Sequence, residues 1–158
     1  MKIYVTRGTG SGKTKIAAFD RALWDAGIAD YNLIKLSSMI PEGSDVVVEK
    51  PSLKKDEHGH RLYIVLSESY EDVPGKKAIA GLGWVTANRT KGKGIFIENA
   101  DGNDRKKITE YINETVKSML SYRPEEHGPV RIEFSEAVCR GEIACALVAA
   151  VYKSEGWK

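Results

Sequence analysis

The sequence predicts an α/β sandwich, with two sheets packed face to face under outer helices. Three observations carry this reading: two segments have helical periodicity, about seven have strand character, and Ile143 to Val151 is apolar on both faces. A strand buried on both sides needs a covering layer on each of them. The chain of 158 residues suits a single domain, and one of that size buries about two thirds of its unfolded surface.

Taken in order, Ile3 to Thr6 reads as a short strand ending in a glycine-rich loop, Gly8-Thr9-Gly10-Ser11-Gly12. Ile16, Phe19, Leu23 and Ala26 then recur at helical spacing until Gly27 supplies the stop. Asn32 to Leu36 is a second strand, and it ends at Ser37-Ser38. Pro41 restricts Ile40 to extended geometry, so the serines occupy a bend between a strand and a stiffened exit. Pro51 to Gly59 is polar and aperiodic, a surface loop. Arg61 to Ser69 is rich in β-formers, Pro74-Gly75 marks a turn, and Ala78 to Ala87 is the next strand. Within it Gly81 and Gly83 share one face, which signals close approach by another element. Ile95 to Ile97 is a further strand ending at Glu98. Asp104 to Tyr122 is the clearest helix, with Ile108, Tyr111, Ile112, Thr115, Val116, Met119 and Leu120 in one stripe opposite Lys106, Lys107, Glu110 and Lys117. Val130, Ile132 and Phe134 alternate with Arg131, Glu133 and Ser135 before the doubly apolar strand begins.

Charge and composition exclude several classes. With 24 basic and 22 acidic residues the net charge is +2, far from the balance of a nucleic-acid binder. The start, Met1 to Arg7, lacks the apolar centre of a signal peptide, and no run approaches the roughly twenty apolar residues of a membrane span. A cytoplasmic protein without nucleic-acid or membrane partners is therefore expected. Cys139 and Cys145 flank a hairpin turn at Arg140-Gly141 without sitting opposite each other, and read as reduced core thiols. They are too few for a structural zinc site, and His58, His60 and His127 read as solvated loop residues, so no metal is expected.

Gly8 to Thr14 looks at first like a phosphate-binding loop, since it follows a strand, opens a helix and ends in Gly12-Lys13-Thr14. That pattern requires a glycine at position 7, which is Arg7. Counted from Gly8 the loop is one residue short, and the backbone cradle falls out of register with the lysine. A glycine-rich turn that packs a helix closely against a sheet is the competing reading.

The serine pair offers sharper chemistry. A Ser38 hydroxyl held near the Ser37 carbonyl carbon would attack it, convert the amide to an ester, and leave a dehydroalanine by β-elimination. Hydrolysis of that residue gives a pyruvoyl group, a ketone that forms imines with amines and accepts electrons as carbon dioxide departs. An ordinary serine turn is the plain alternative.

The segments Gly8 to Thr14, Ala18 to Ile28 and Asn32 to Pro41 resemble the pyruvoyl-dependent arginine decarboxylase family in order and spacing, most densely over residues 3 to 41. Gly94-Ile95-Phe96-Ile97-Glu98 continues the resemblance, whereas Glu42 stands where some relatives carry a second proline. The resemblance implies a four-layer αββα sandwich that cleaves itself between Ser37 and Ser38 into two fragments that stay associated. It also implies a covalently bound pyruvoyl group derived from Ser38, working through a Schiff base. The implied reaction converts L-arginine to agmatine and carbon dioxide, in a homotrimer with sites at the seams between protomers.

By the same resemblance Asp20 binds the substrate guanidinium, with Ser37 and Leu23 also at the substrate, and the distance from Asp20 to the ketone selects substrate length. Asn32 supports self-cleavage by holding the loop or polarising the carbonyl of residue 37. Glu98 returns a proton to the α-carbon, a role that benefits from burial. The residues alone leave plainer readings open: a surface carboxylate at Asp20, a strand-edge cap at Asn32, a solvated strand end at Glu98. The alternative function class is a nucleotide-binding protein or an unprocessed binding module.

Overall fold

Three buried clusters separate four layers in the computed structural model, which describes residues 1–88, 93–99 and 104–158. The elements in chain order are β1 (Lys2–Gly12), α1 (Lys15–Ala26), β2 (Asn32–Lys35), β3 (Met39–Ile40), β4 (Asp45–Val48), β5 (Arg61–Glu71), β6 (Lys77–Thr86), β7 (Gly94–Asn99), α2 (Arg105–Leu120), β8 (Arg131–Val138) and β9 (Ile143–Glu155). One sheet has the order β2-β5-β9-β1-β4, the other β3-β7-β6-β8. Between the sheets, Ile3, Val5, Val65 and Val148 meet Ile40, Leu82, Trp84 and Phe96. α1 covers the outer face of the first sheet, and α2 that of the second. The order αββα follows, as the sequence predicts. β9 explains why: Cys145, Leu147 and Ala149 face α1, while Ala146, Val148 and Ala150 face the other sheet.

β1 departs from expectation. Instead of ending at Thr6 in a loop, it stays extended to Gly12, with Gly8, Gly10 and Gly12 opposite Leu147, Cys145 and Ile143 of β9. The glycines are needed because α1 lies against them. A Cβ on Gly8 would stand 2.1 Å from the Ala22 carbonyl oxygen, and one on Gly10 would stand 2.4 Å from that of Ala18. Backbone committed to a strand offers no phosphate cradle at these residues. The close packing selects the small residues of α1, so its buried stripe is Ala18, Ala22, Leu23 and Ala26, while Ile16, expected in it, is 77% exposed. Thr14 caps the helix by accepting from the Ala17 N–H, and Gly27 ends it in the left-handed region at φ 76°.

β6 and α2 repeat the device. A Cβ on Gly81 or Gly83 would stand 2.6 Å from Ile108 or 2.4 Å from Ile112, the close approach the shared glycine face predicts. Asp104 caps α2 by accepting from the Lys106 N–H. α2 seats on Ile108, Ile112 and Val116, and Tyr111 lies outside the stripe, half exposed.

The Arg140-Gly141 turn is not a hairpin, because β8 pairs with β6 whereas β9 lies between β5 and β1 in the other sheet. It carries the chain from one layer to the next. Both cysteines are buried free thiols, and burial pushes Cys145 up to about 12. Nine strands are found among the described residues, more than the sequence suggests, because β3 and β4 are short edge strands. β4 runs parallel to the start of β1, from Lys2 opposite Asp45 to Val5 opposite Val48. Among the described residues, no helix is long and apolar enough to cross a membrane.

Candidate active site

The chain changes sheets at the serine pair. β2 is an edge strand of the first sheet, and the Leu36 N–H donates to the Ile64 carbonyl of β5 at 2.8 Å. Two residues later the Ser38 carbonyl accepts from the Phe96 N–H of β7 at 2.8 Å, and β3 continues as an edge strand of the second sheet. Crossing that gap requires a sharp reversal. Ser38 supplies it at φ 70°, a left-handed conformation that costs a non-glycine residue about 1 to 3 kcal/mol.

The reversal aims the side chain. Ser38 Oγ donates to Glu98, standing 2.9 Å from Oε1 and 2.8 Å from Oε2. Glu98 lies inside β7 and not at its end, two residues beyond Phe96, and so on the face that β7 turns toward the other sheet. A carboxylate that accepts from a hydroxyl stands where it can take the proton and leave a stronger nucleophile. The Ser37 carbonyl is the nearest peptide carbonyl in sequence, and Ser37 itself is exposed.

The other expected residues lie elsewhere in the protomer. Asn32 opens β2, and its Nδ2 donates to the Gly59 carbonyl at 2.7 Å, an acceptor shared with the Trp157 indole N–H at 2.9 Å. That amide fastens the end of the surface loop. Asp20 is exposed on α1, and Leu23 is buried between α1 and the first sheet. The structure thus brings Ser38 and Glu98 together across sixty positions of sequence, and leaves Asp20 and Leu23 on an outer layer that packs on β1 and β9. Two neighbours of the serine escaped sequence reasoning: the Phe96 N–H and Tyr152, whose Oη donates to the Met39 carbonyl at 2.7 Å. Phe96 lies within the Gly94 to Glu98 segment, which gives no sign that its backbone N–H is used, and Tyr152 leaves one trace, closing an otherwise apolar run.

Residues 2–156 match the family described as pyruvoyl-dependent arginine decarboxylase. The chain belongs to that family. It is 33% identical over 153 residues to the pyruvoyl-dependent arginine decarboxylase of Methanothermobacter thermautotrophicus, covering 96% of each chain. Identity to that of Halobacterium salinarum is 32% over 153 residues, covering 96% of this chain and 93% of the relative. With that of Methanococcoides burtonii it is 30% over 121 residues, 76% of this chain and 67% of the relative.

A pyruvoyl-dependent family requires a covalently bound pyruvoyl group, and position 38 suits one. A keto carbon is planar and lacks the chirality that makes a left-handed φ of 70° costly for serine, so conversion removes the strain. The carbonyl of the same residue is already fixed by the Phe96 N–H. Ser38, Glu98 and Phe96 therefore fit the group on conformational and hydrogen-bonding grounds.

Proposed function

We propose that this chain cuts itself between Ser37 and Ser38 and then decarboxylates L-arginine to agmatine. The contact between Ser38 Oγ and Glu98 under a left-handed backbone carries the reading. Glu98 takes the hydroxyl proton, Oγ bonds to the Ser37 carbonyl carbon, and the peptide C–N bond breaks as its nitrogen is protonated. The resulting ester loses the Cα proton of residue 38 and expels the Ser37 carboxylate, which leaves dehydroalanine. Water then replaces the nitrogen, releasing ammonia. Asn32 supports self-cleavage by holding the loop, its amide fastening the Gly59 carbonyl beside the start of β2.

The two fragments, 1–37 and 38–158, stay associated for a topological reason. β1 of the small fragment lies between β9 and β4 of the large one, and β2 pairs with β5. Removing one peptide bond leaves those ladders intact.

The pyruvoyl group at position 38 supplies a ketone that accepts the substrate amine and an electron sink for the bond to carbon dioxide. The Phe96 N–H draws electron density onto the carbonyl of residue 38. Glu98 returns a proton to the substrate α-carbon. Asp20 grips the guanidinium through two parallel hydrogen bonds, with Leu23 and Ser37 shaping the approach. Because α1 and β7 belong to different layers and Glu98 is exposed in a single protomer, Asp20 comes from a neighbouring copy, in a homotrimer with sites at the seams. Two free thiols suit a reducing, cytoplasmic setting.

Carbon dioxide release from L-arginine, L-lysine and L-ornithine tests the substrate. Arginine is expected to be turned over far faster than the two amines, and Asp20→Asn to raise KM for arginine more than it slows chain scission. Equal turnover of lysine and arginine would refute the guanidinium assignment.

A further inference from the structure

We infer that Tyr152 is a positioning residue for self-cleavage: its phenol pins the peptide that follows Ser38 so that the serine hydroxyl stays on Glu98. This rests on the self-processing reading above. β9 pairs with β5 in steady register until it slips, with Lys153 opposite Tyr63 and Val151 opposite Ile64, so that Tyr152 has no partner in β5. Its side chain continues the alternation of Ala146, Val148 and Ala150 and so lies on the face that β9 turns to the other sheet. Here the ring turns edge-on to Phe96, centroids 6.3 Å apart at 63°, and Phe96 packs in turn against Trp84.

The aim of the phenol is specific. Its Oη donates to the Met39 carbonyl at 2.7 Å, while the preceding carbonyl, that of Ser38, accepts from the Phe96 N–H at 2.8 Å. Two consecutive carbonyls on the downstream side of the scissile bond are thus held, one by each sheet. A left-handed serine relaxes unless its surroundings over-determine it, and these two bonds supply that constraint. Burial first, and the negative charge of Glu98 second, push the phenol above its ordinary range, which keeps it a protonated donor beside the carboxylate. Ring packing on Phe96 needs no hydroxyl; holding the Met39 carbonyl does.

The test compares wild type with Tyr152→Phe, which keeps the ring, by following intact mass after a pulse of cell-free synthesis. Scission is expected to slow about fivefold to tenfold, the worth of one hydrogen bond. Scission of Tyr152→Phe at the wild-type rate overturns the inference. A second readout uses the uncleaved Ser38→Ala chain labelled with carbonyl carbon-13 methionine. Adding Tyr152→Phe is expected to move the Met39 carbonyl resonance and leave those of Met1 and Met119 in place; an unmoved Met39 resonance overturns the clamp. A wild-type chain that never breaks defeats the self-processing reading instead, and the carbonyl resonance still reports on the clamp.

Discussion

Two segments of small residues lie on either side of α1, and the fold uses them in opposite ways. From Gly8 to Gly12 the backbone is extended, paired with β9 and pressed against Ala18 and Ala22, so that the missing Cβ atoms are the property in use. At Ser37 and Ser38 the chain is between sheets, one residue is left-handed, and the side-chain oxygen reaches a carboxylate on another strand. Smallness serves packing in the first case and chemistry in the second. What separates them is the surroundings: the glycines meet backbone from a neighbouring helix, whereas the serine meets a titratable group.

The sharpest way to break this contrast is to remove one oxygen. Ser38→Ala should give a single full-length chain with no decarboxylase activity; two fragments from that variant would refute the nucleophile. Glu98→Gln keeps an acceptor beside Oγ but loses the base, and scission should slow by about 10²- to 10⁴-fold, read from intact mass against time. Adding one carbon in the other region should do the reverse. Gly8→Ala places a methyl 2.1 Å from the Ala22 carbonyl oxygen, and an overpacked backbone contact of that kind costs about 3 kcal/mol in a urea titration. Those molecules that do fold should still cut themselves.

The smallest effect concerns reactivity. Cys145, opposite Gly10 in the packed region, has its thiol pushed up to about 12 by burial. The native thiol then stays protonated where an unfolded one ionises, so alkylation at pH 9 should require unfolding, and stability should fall as pH rises from the ordinary thiol range toward 12. Rapid alkylation of the folded chain would show that this region is looser than its contacts suggest.

Much of the fold was legible because periodicity survives wherever apolar side chains do. β5, β6, β7, α2 and β9 announce themselves through Leu62, Ile79, Ile95, Ile108 and Leu147 and their neighbours, and the shared face of Gly81 and Gly83 foretold α2. β1 beyond Thr6 was illegible for the converse reason, since glycine carries no hydrophobic signal to alternate. The Arg140-Gly141 turn has the chemistry of a hairpin whether or not its strands share a sheet. At the site, the serine pair was visible as residues, and Glu98 only through resemblance, because their contact spans sixty positions. The face of Tyr152 follows from alternation after Ala146, Val148 and Ala150, but its partner, the Met39 carbonyl 113 positions away, was beyond reach.

The proposed activity depends on one covalent event, scission between Ser37 and Ser38, and intact mass of purified wild-type protein under denaturing conditions tests it most directly. Two species corresponding to residues 1–37 and 38–158 are predicted, the larger lighter by one ammonia than a fragment beginning with serine. A folded preparation that yields only the unbroken chain of 158 residues would contradict it.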